Sequence, residues 1–213
     1  CNSLTSVTIP NSVIYIGKQA FDGCTSLTAI TVDPANTAYS SQEGVLLNKS
    51  LTTLVQCPGG KTGAYSIPDS VTSIGNYAFR NCTSLASVTI PAGVTFIGSS
   101  AFRNCTSLQR VYFAGDAPTP ESAVFSSTPA TVYYLPNTTG WGSTYADRPA
   151  ALWNPTFTAM AFGVGQVSCT VTGTPAIPVA FEAVTNLITG PWLRLHTTNL
   201  TAGSLDFTDT DST

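Results

Sequence analysis

One phrase returns along the chain at a fixed distance: "CNSLTSVTIP" at Cys1, "CTSLTAITVD" at Cys24, "CTSLASVTIP" at Cys82 and "CTSLQRVYFA" at Cys105. Cys1 to Cys24 and Cys82 to Cys105 are each 23 residues apart, and Cys24 to Cys82 is 58, one period plus an insertion of 35. A unit this short cannot bury its own apolar face, because its few buried residues do not offset the entropy of ordering it. A fixed period of this length therefore implies a stacked solenoid in which each coil leans on its neighbours. A first-residue cysteine could also be a lipid-modified anchor. Cys1 stands at a repeat position, which favours a repeat residue, and a start in mid-repeat makes this chain expected to be part of a longer array.

Each unit can be read physically. Val7 and Ile9 alternate with Ser6 and Thr8, the pattern of a half-buried strand. The equivalent pairs are Ile30/Val32, Tyr65/Ile67, Val88/Ile90 and Val111/Phe113, so parallel strands are expected at 4–9, 27–32, 64–67, 85–90 and 108–113. Pro10, Pro68 and Pro91 end the strand. A second apolar stretch follows (Val13/Ile16, Val71/Ile74, Val94/Ile97), then Gly17, Gly75 and Gly98 at places suited to positive φ. Ala20-Phe21, Ala78-Phe79 and Ala101-Phe102 should point inward from a short helical turn, with Phe21, Phe79, Phe102 and Phe125 as an interior ladder.

The insertion, 33–67, carries "GVLLNKSLTTLVQCP", two strands around a turn at "NKS", before "GGKTGAYSIP" restores the register. The pattern "LxxVxIPxxVxxIGxxAFxxCxSL", with the island "EGVLLNK..LTTLVQCPGGKTGAYSIPDSVTSIG", resembles the BspA-type leucine-rich repeats of bacterial surface and secreted proteins. The resemblance covers residues 1 to about 113. It implies a β-rich solenoid, an extracellular or cell-surface location, and a role in adhesion or recognition. Cys57 departs from the pattern, which favours an aromatic or aliphatic residue there, and reads as a buried substitute.

Beyond Phe113 the repeat decays. Phe125 lies 23 residues after Phe102, Thr128 takes the next Cys place, and "TVYYLP" supplies one more strand. The following Gly-, Pro- and aromatic-rich stretch reads as a cap, so 1–153 is expected to be the solenoid with its cap at about 114–153. From 154 to 213 the period is lost. "QVSCTVTG", "IPVAFEAV", "WLRLHT" and "SLDFTD" alternate like the strands of a small all-β, sandwich-like module, with Ile177, Val179, Phe181 and Ala183 facing one way. This stretch resembles a β-rich module appended to exported bacterial proteins, in which a further strand follows. The sequence here stops at Thr213, so an open strand edge, suited to pairing with another chain, is expected.

Composition narrows the function. Only 9% of residues are charged, against roughly a quarter in an ordinary domain, and the net charge is −3. Basic clusters are absent and no apolar run is long enough to span a bilayer, so neither nucleic acid nor membrane insertion is expected. Stacked coils hold equivalent cysteines about 4.8 Å apart with parallel side chains, whereas a disulfide needs Cβ atoms near 3.8 Å and turned together, so buried free thiols are expected. No catalytic, cofactor or metal constellation is recognisable. His196 is the single histidine, with no nucleophile turn to serve, and Asp206, Asp209 and Asp211 lack the Gly and bidentate Glu of a calcium loop. Sequons begin at Asn48, Asn81, Asn104, Asn137 and Asn199, and Asn81 and Asn104 also recur as turn residues before the Cys.

These features favour a non-enzymatic extracellular recognition or adhesion module, with a surface protein or glycan of host or neighbouring cells as partner. The alternative is a structural protein that assembles head-to-tail into fibres or a surface layer. The outward strand positions Thr8, Thr31, Ser66, Thr89 and Tyr112, with Arg110 in the neighbouring column of Ser6, Ala29, Ala64 and Ser87, are expected to form a continuous hydroxyl-lined ribbon and the partner-binding face.

Overall fold

In a computed structural model, the described residues are 1–154 and, beyond them, five strands between 156 and 209. The chain divides into two compact units, Cys1–Ala151 and Leu152–Thr213. In the first unit the strands are β1 (Ser6–Ile9), β2 (Ala29–Val32), β3 (Tyr39–Gln42), β4 (Val45–Asn48), β5 (Thr53–Gln56), β6 (Gly63–Ser66) and β7 (Ser73–Ile74). They continue as β8 (Leu85–Ile90), β9 (Phe96–Ile97), β10 (Arg110–Phe113), β11 (Thr119–Pro120), β12 (Thr131–Tyr134), β13 (Thr144–Tyr145) and β14 (Arg148–Leu152).

The long-strand face of the solenoid, here the front, is built by β1 and β2 and by a six-stranded sheet ordered β13-β14-β12-β10-β8-β6. The repeat register is kept: Val88 pairs with Val111, and Val111 with Val132. The back sheet runs β11-β9-β7-β5-β4-β3. Between the back strands and the next front strand the chain makes tight turns rather than the short helical turn expected, closed by bonds such as Ala78 N–H to Gly75 O (3.3 Å) and Cys82 N–H to Phe79 O (3.1 Å).

Gly17, Gly75 and Gly98 do not take positive φ. The left-handed positions fall two residues later, at Gln19, Tyr77, Ser100 and Ala123, and again before the Cys, at Gly23, Asn81, Asn104 and Ser127. Close approach explains Gly75 and Gly98 instead: a Cβ at Gly98 would lie 2.6 Å from the Asn76 backbone nitrogen, and one at Gly75 3.0 Å from Leu54 O, whereas one at Gly17 would meet only Tyr15 at 4.0 Å. Asn81 and Asn104, of a type that tolerates this conformation, also hydrogen-bond in a column, Asn104 Nδ2 to Asn81 Oδ1 (3.0 Å) and Asn81 Nδ2 to Asp22 Oδ1 (2.6 Å). Asp22 is held in turn by Arg80, at 3.4 Å.

The interior ladder is real over three of its four members. Phe79 and Phe102 stack at 4.6 Å and Phe102 and Phe125 at 5.2 Å, with Tyr65 tilted against Phe79 at 6.2 Å. Phe21 is half-buried in a separate cluster with Ile9, Leu27, Ile30 and Leu46. The insertion separates it from the ladder. Where a phenylalanine of the preceding coil would pair with the turn of Phe79, Cys57 donates its amide to Ala78 O at 2.7 Å.

Cys24, Cys57, Cys82 and Cys105 are buried and free, and Cys1 is free but exposed rather than part of the core. The column has a hydrogen-bonding duty. Cys105 Sγ donates to Phe79 O (3.0 Å), and Cys82 Sγ to Pro58 O (3.6 Å) and, more weakly, to Cys57 O (3.9 Å). Thr128 Oγ1 donates to Phe102 O (2.5 Å) and accepts from Cys105 N–H (3.1 Å). That shared geometry explains why threonine can stand in the cysteine place. Thr128→Val, which strands a buried carbonyl and amide, is expected to cost about 2 kcal/mol in urea unfolding, whereas Thr128→Cys should cost less than half of that. Equal losses for the two would remove the hydrogen bond as the cause.

The insertion begins later than the sequence suggests. Asn36 and Tyr39 stand 23 residues after Val13 and Ile16 and bind them, Asn36 Nδ2 to Val13 O (2.8 Å) and Ile16 N–H to Tyr39 Oη (2.9 Å), so the second coil continues to β3. The insertion is then a three-stranded antiparallel meander, β3-β4-β5, whose first strand was not expected. Val45, Leu46 and Leu47 of β4 are all fully buried. Leu46 belongs to the core of the first two coils, Val45 and Leu47 to the core of the rest. β4 is thus a partition across the interior, with apolar side chains on both faces. This accounts for its unbroken apolar run.

After β12 the chain folds back through the antiparallel pair β13 and β14, with β14 alongside β12. Trp141 stacks on Tyr134 (5.0 Å) and meets Phe113 edge-on (4.9 Å), and Tyr145 Oη donates to Pro118 O (2.9 Å). The second unit holds β15 (Thr156–Gly163), β16 (Gln166–Thr172), β17 (Pro178–Ala183), β18 (Leu193–Asn199) and β19 (Ser204–Asp209), in two antiparallel sheets ordered β15-β16-β19 and β17-β18. Ile177 and Asp211 lie outside the described residues, and the expectations for Val179, Phe181, Ala183, His196, Asp206, Asp209, Cys169 and the Asn199 sequon concern side chains outside those described.

Candidate partner-binding face

The outward column does not form one ribbon. Thr8 pairs with Thr31 across β1 and β2, their hydroxyls 3.0 Å apart, and both are exposed. Ser66, Thr89 and Tyr112 align across β6, β8 and β10, and Arg110 pairs with Ser87 on β8. The two blocks belong to different sheets, because β2 and β6 do not pair. The tip of the β3–β4 hairpin, Glu43-Gly44, stands between them: Ile30 N–H donates to Gly44 O (2.8 Å), and Lys61 Nζ to Glu43 O (2.9 Å). Both tip residues have positive φ (50° and 77°), the two-residue turn that matches strand twist.

Exposure also falls along the column. Thr8, Thr31 and Ser66 are exposed, Thr89 and Arg110 half-buried, and Tyr112 is 5% exposed. Tyr112 is therefore not the protruding anchor expected of it. Its ring stacks on Tyr133 of the next coil at 5.4 Å, an aromatic neighbour that the sequence places one coil on but does not show to be in contact. Burial pushes the Tyr112 hydroxyl up to about 12, with Arg110 opposing the rise and Tyr133 adding to it.

The sequence did not mark the cleft that the hairpin tip creates. Gln42 and Glu43 form one bank and Tyr65, Ser66, Ile67, Pro68 and Asp69 the other, enclosing about 610 Å³ open to solvent. Glu43 and Asp69 are exposed, and Lys61 lies over the Tyr65 ring at 4.9 Å. Tyr65 is 4% exposed, and its buried hydroxyl has no hydrogen-bond partner. Burial raises the pKa of that hydroxyl, helped by Cys57 and Glu43, so it remains a donor. Among the described residues no group of His, Cys, Asp and Glu is arranged to hold a metal ion, and no helix is long and apolar enough to cross a membrane.

Comparison with known proteins is informative for the first unit. The profile of the BspA type leucine rich repeat region matches residues 1–56 and 61–144, in six copies. Among solved structures, the pneumococcal vaccine antigen PcpA is 21% identical with a TM-score of 0.52, over 62% of this chain and 39% of its own. A leucine-rich repeat protein from Eubacterium ventriosum is 26% identical (TM-score 0.48, covering 62% of this chain and 43% of its own). A leucine rich cell surface protein from Faecalibacterium prausnitzii is also 26% identical (TM-score 0.49, covering 64% and 43%). The matches span less than half the length of each of these structures. No curated protein matches.

Proposed function

This chain belongs to the BspA type leucine-rich repeat family, and from that premise we propose that it is a non-enzymatic recognition module, extracellular or held at the cell surface, that binds a protein or glycan partner through its front face. The observation that carries this reading is the pairing of a stiff, fully packed interior with outward strand positions that are exposed and uncharged at Thr8, Thr31 and Ser66. Such a surface is fixed before binding, so little ordering entropy opposes association. Its hydroxyls suit hydrogen bonding to sugars or to an extended backbone. The low content of charged residues fits a polar, uncharged coat.

The test is an array of glycans and of extracellular proteins, probed with the wild type and with Thr8→Arg/Thr31→Arg and Ser66→Arg. These exposed positions keep a large side chain out of the core, so the melting temperature of Ser66→Arg should be unchanged; the double variant also loses the Thr8–Thr31 hydroxyl bond and sets two like charges opposite, so a small drop is expected there. Loss of targets by at least about tenfold in affinity, about 1.4 kcal/mol, is the expected result. Unchanged binding by both variants would exclude the front face.

A further inference from the structure

β6 is the terminal strand of its sheet, and its ladder to β8 uses one set of residues only. Ile67 N–H donates to Thr89 O at 3.0 Å, and the register Ala64↔Ser87, Tyr65↔Val88, Ser66↔Thr89 sends the amide and carbonyl of Tyr65 to β8 as well. Ala64 and Ser66 therefore turn their amides and carbonyls the other way, towards the opening between β2 and β6. There no strand pairs with them, because the hairpin tip bonds to Ile30 and Lys61 instead. Exposed strand edges of this kind are templates for a further strand. The same opening holds the cleft, with two exposed carboxylates, Glu43 and Asp69. Neither carboxylate is in an ion pair among the described residues. Lys61 is the nearby cation, and it is engaged with the Glu43 carbonyl and the Tyr65 ring.

We propose that this notch binds an extended peptide segment of a protein partner, which adds to the open edge of β6 through Ala64 and Ser66 and places a Lys or Arg side chain between Glu43 and Asp69. An unpaired strand edge selects extended backbone, and the two carboxylates select a cation, so the partner is a peptide with a basic residue flanked by strand-forming ones. The proposal rests on the recognition role above and gives it a site and a partner class.

Random short peptides displayed on phage and selected on the wild-type chain provide the probe. Enriched peptides should carry Lys or Arg among Thr, Val and Ile, and their affinity should fall with salt. Ser66→Pro removes an edge amide that makes no bond within the fold, and should weaken them by at least about tenfold with an unchanged melting temperature. Glu43→Gln/Asp69→Asn leaves the backbone untouched, and should weaken them comparably and flatten the salt dependence. Failure to enrich any peptide, or peptides that bind both variants as tightly as the wild type, would overturn the site. Array targets that survive both changes would then leave the wider recognition role standing. Array targets that bind both arginine variants as tightly as the wild type, while the selected peptides still bind the notch, would instead remove the front-face reading and keep the notch.

Discussion

Phe102→Ala is expected to lower the unfolding free energy by about 4–6 kcal/mol, the largest loss of any single substitution in the first unit. Phe102 is fully buried, and it is the only ladder ring stacked on both sides, at 4.6 Å from Phe79 and 5.2 Å from Phe125. Truncation removes its own buried area, leaves a cavity that flanking coils cannot close without leaving register, and breaks two aromatic pairs. Because each coil is stable only against its neighbours, a gap in the middle of the stack also uncouples the coils on either side. Phe21→Ala provides the contrast. This ring stands at the same place in the repeat but is half-buried outside the ladder, and its loss should be about 1 kcal/mol. Urea unfolding of both variants checks the pair. A loss below about 1 kcal/mol for Phe102→Ala, or equal losses for the two, would show that the ladder is not what holds the stack.

The second large effect is alkaline. Cys82 is held well above the ordinary thiol range by its interaction with Cys57 and by burial, and burial does the same to Cys105 with help from Cys82. Burial likewise raises Tyr65 and Tyr145, and Tyr112 is pushed up to about 12. All these groups are neutral in both folded and unfolded chains at low and neutral pH, so they give stability no pH dependence there. Above about pH 8.5 the unfolded chain begins to ionise Cys82 and Cys105, and above about pH 10 Tyr65, Tyr112 and Tyr145, while in the folded chain these groups hold their protons to higher pH. The unfolded state then binds fewer protons than the native one, and stability must fall as pH rises. The two thiols together give a slope of up to about 2.7 kcal/mol per pH unit above pH 9, and the tyrosines steepen it beyond pH 10. Denaturant unfolding between pH 7 and 11 measures this. Cys105→Thr, which copies the natural Thr128 one coil on, should keep the hydrogen bond to Phe79 O and remove one thiol's share of the slope. A profile flat to pH 11, or an unchanged slope in Cys105→Thr, would contradict the assignment.

Much of this molecule follows from sequence alone, and the reason is its one-dimensionality. In a stack with a fixed period, a residue's spatial neighbours lie one period away, so spacing substitutes for distance. The alternation of Val88 and Ile90, the 23-residue recurrence of Phe79, Phe102 and Phe125, and the arrival of Thr128 at the cysteine place are enough to give the strands, the ladder and the buried column. The same logic places Thr8 on Thr31 and Thr89 on Tyr112.

The tertiary structure decided what happens where the period breaks. The island between Tyr39 and Gln56 adds β4 and β5 to the back sheet and nothing to the front, so the two faces no longer have equal numbers of rungs and the front sheet has to part between β2 and β6. Spacing cannot show that Leu46 and Leu47 face different cores across β4, that Phe21 drops out of the ladder, or that Glu43 and Ser66, 23 residues apart, meet across a cleft instead of stacking in one column. Nor can it show that Tyr112 is covered rather than offered. Repetition fixes the contacts between equivalent residues, because identical coils admit one way of stacking. A non-repeating segment can be accommodated in several ways, and the choice is made by the side chains it buries on both of its faces, a property of the packed interior.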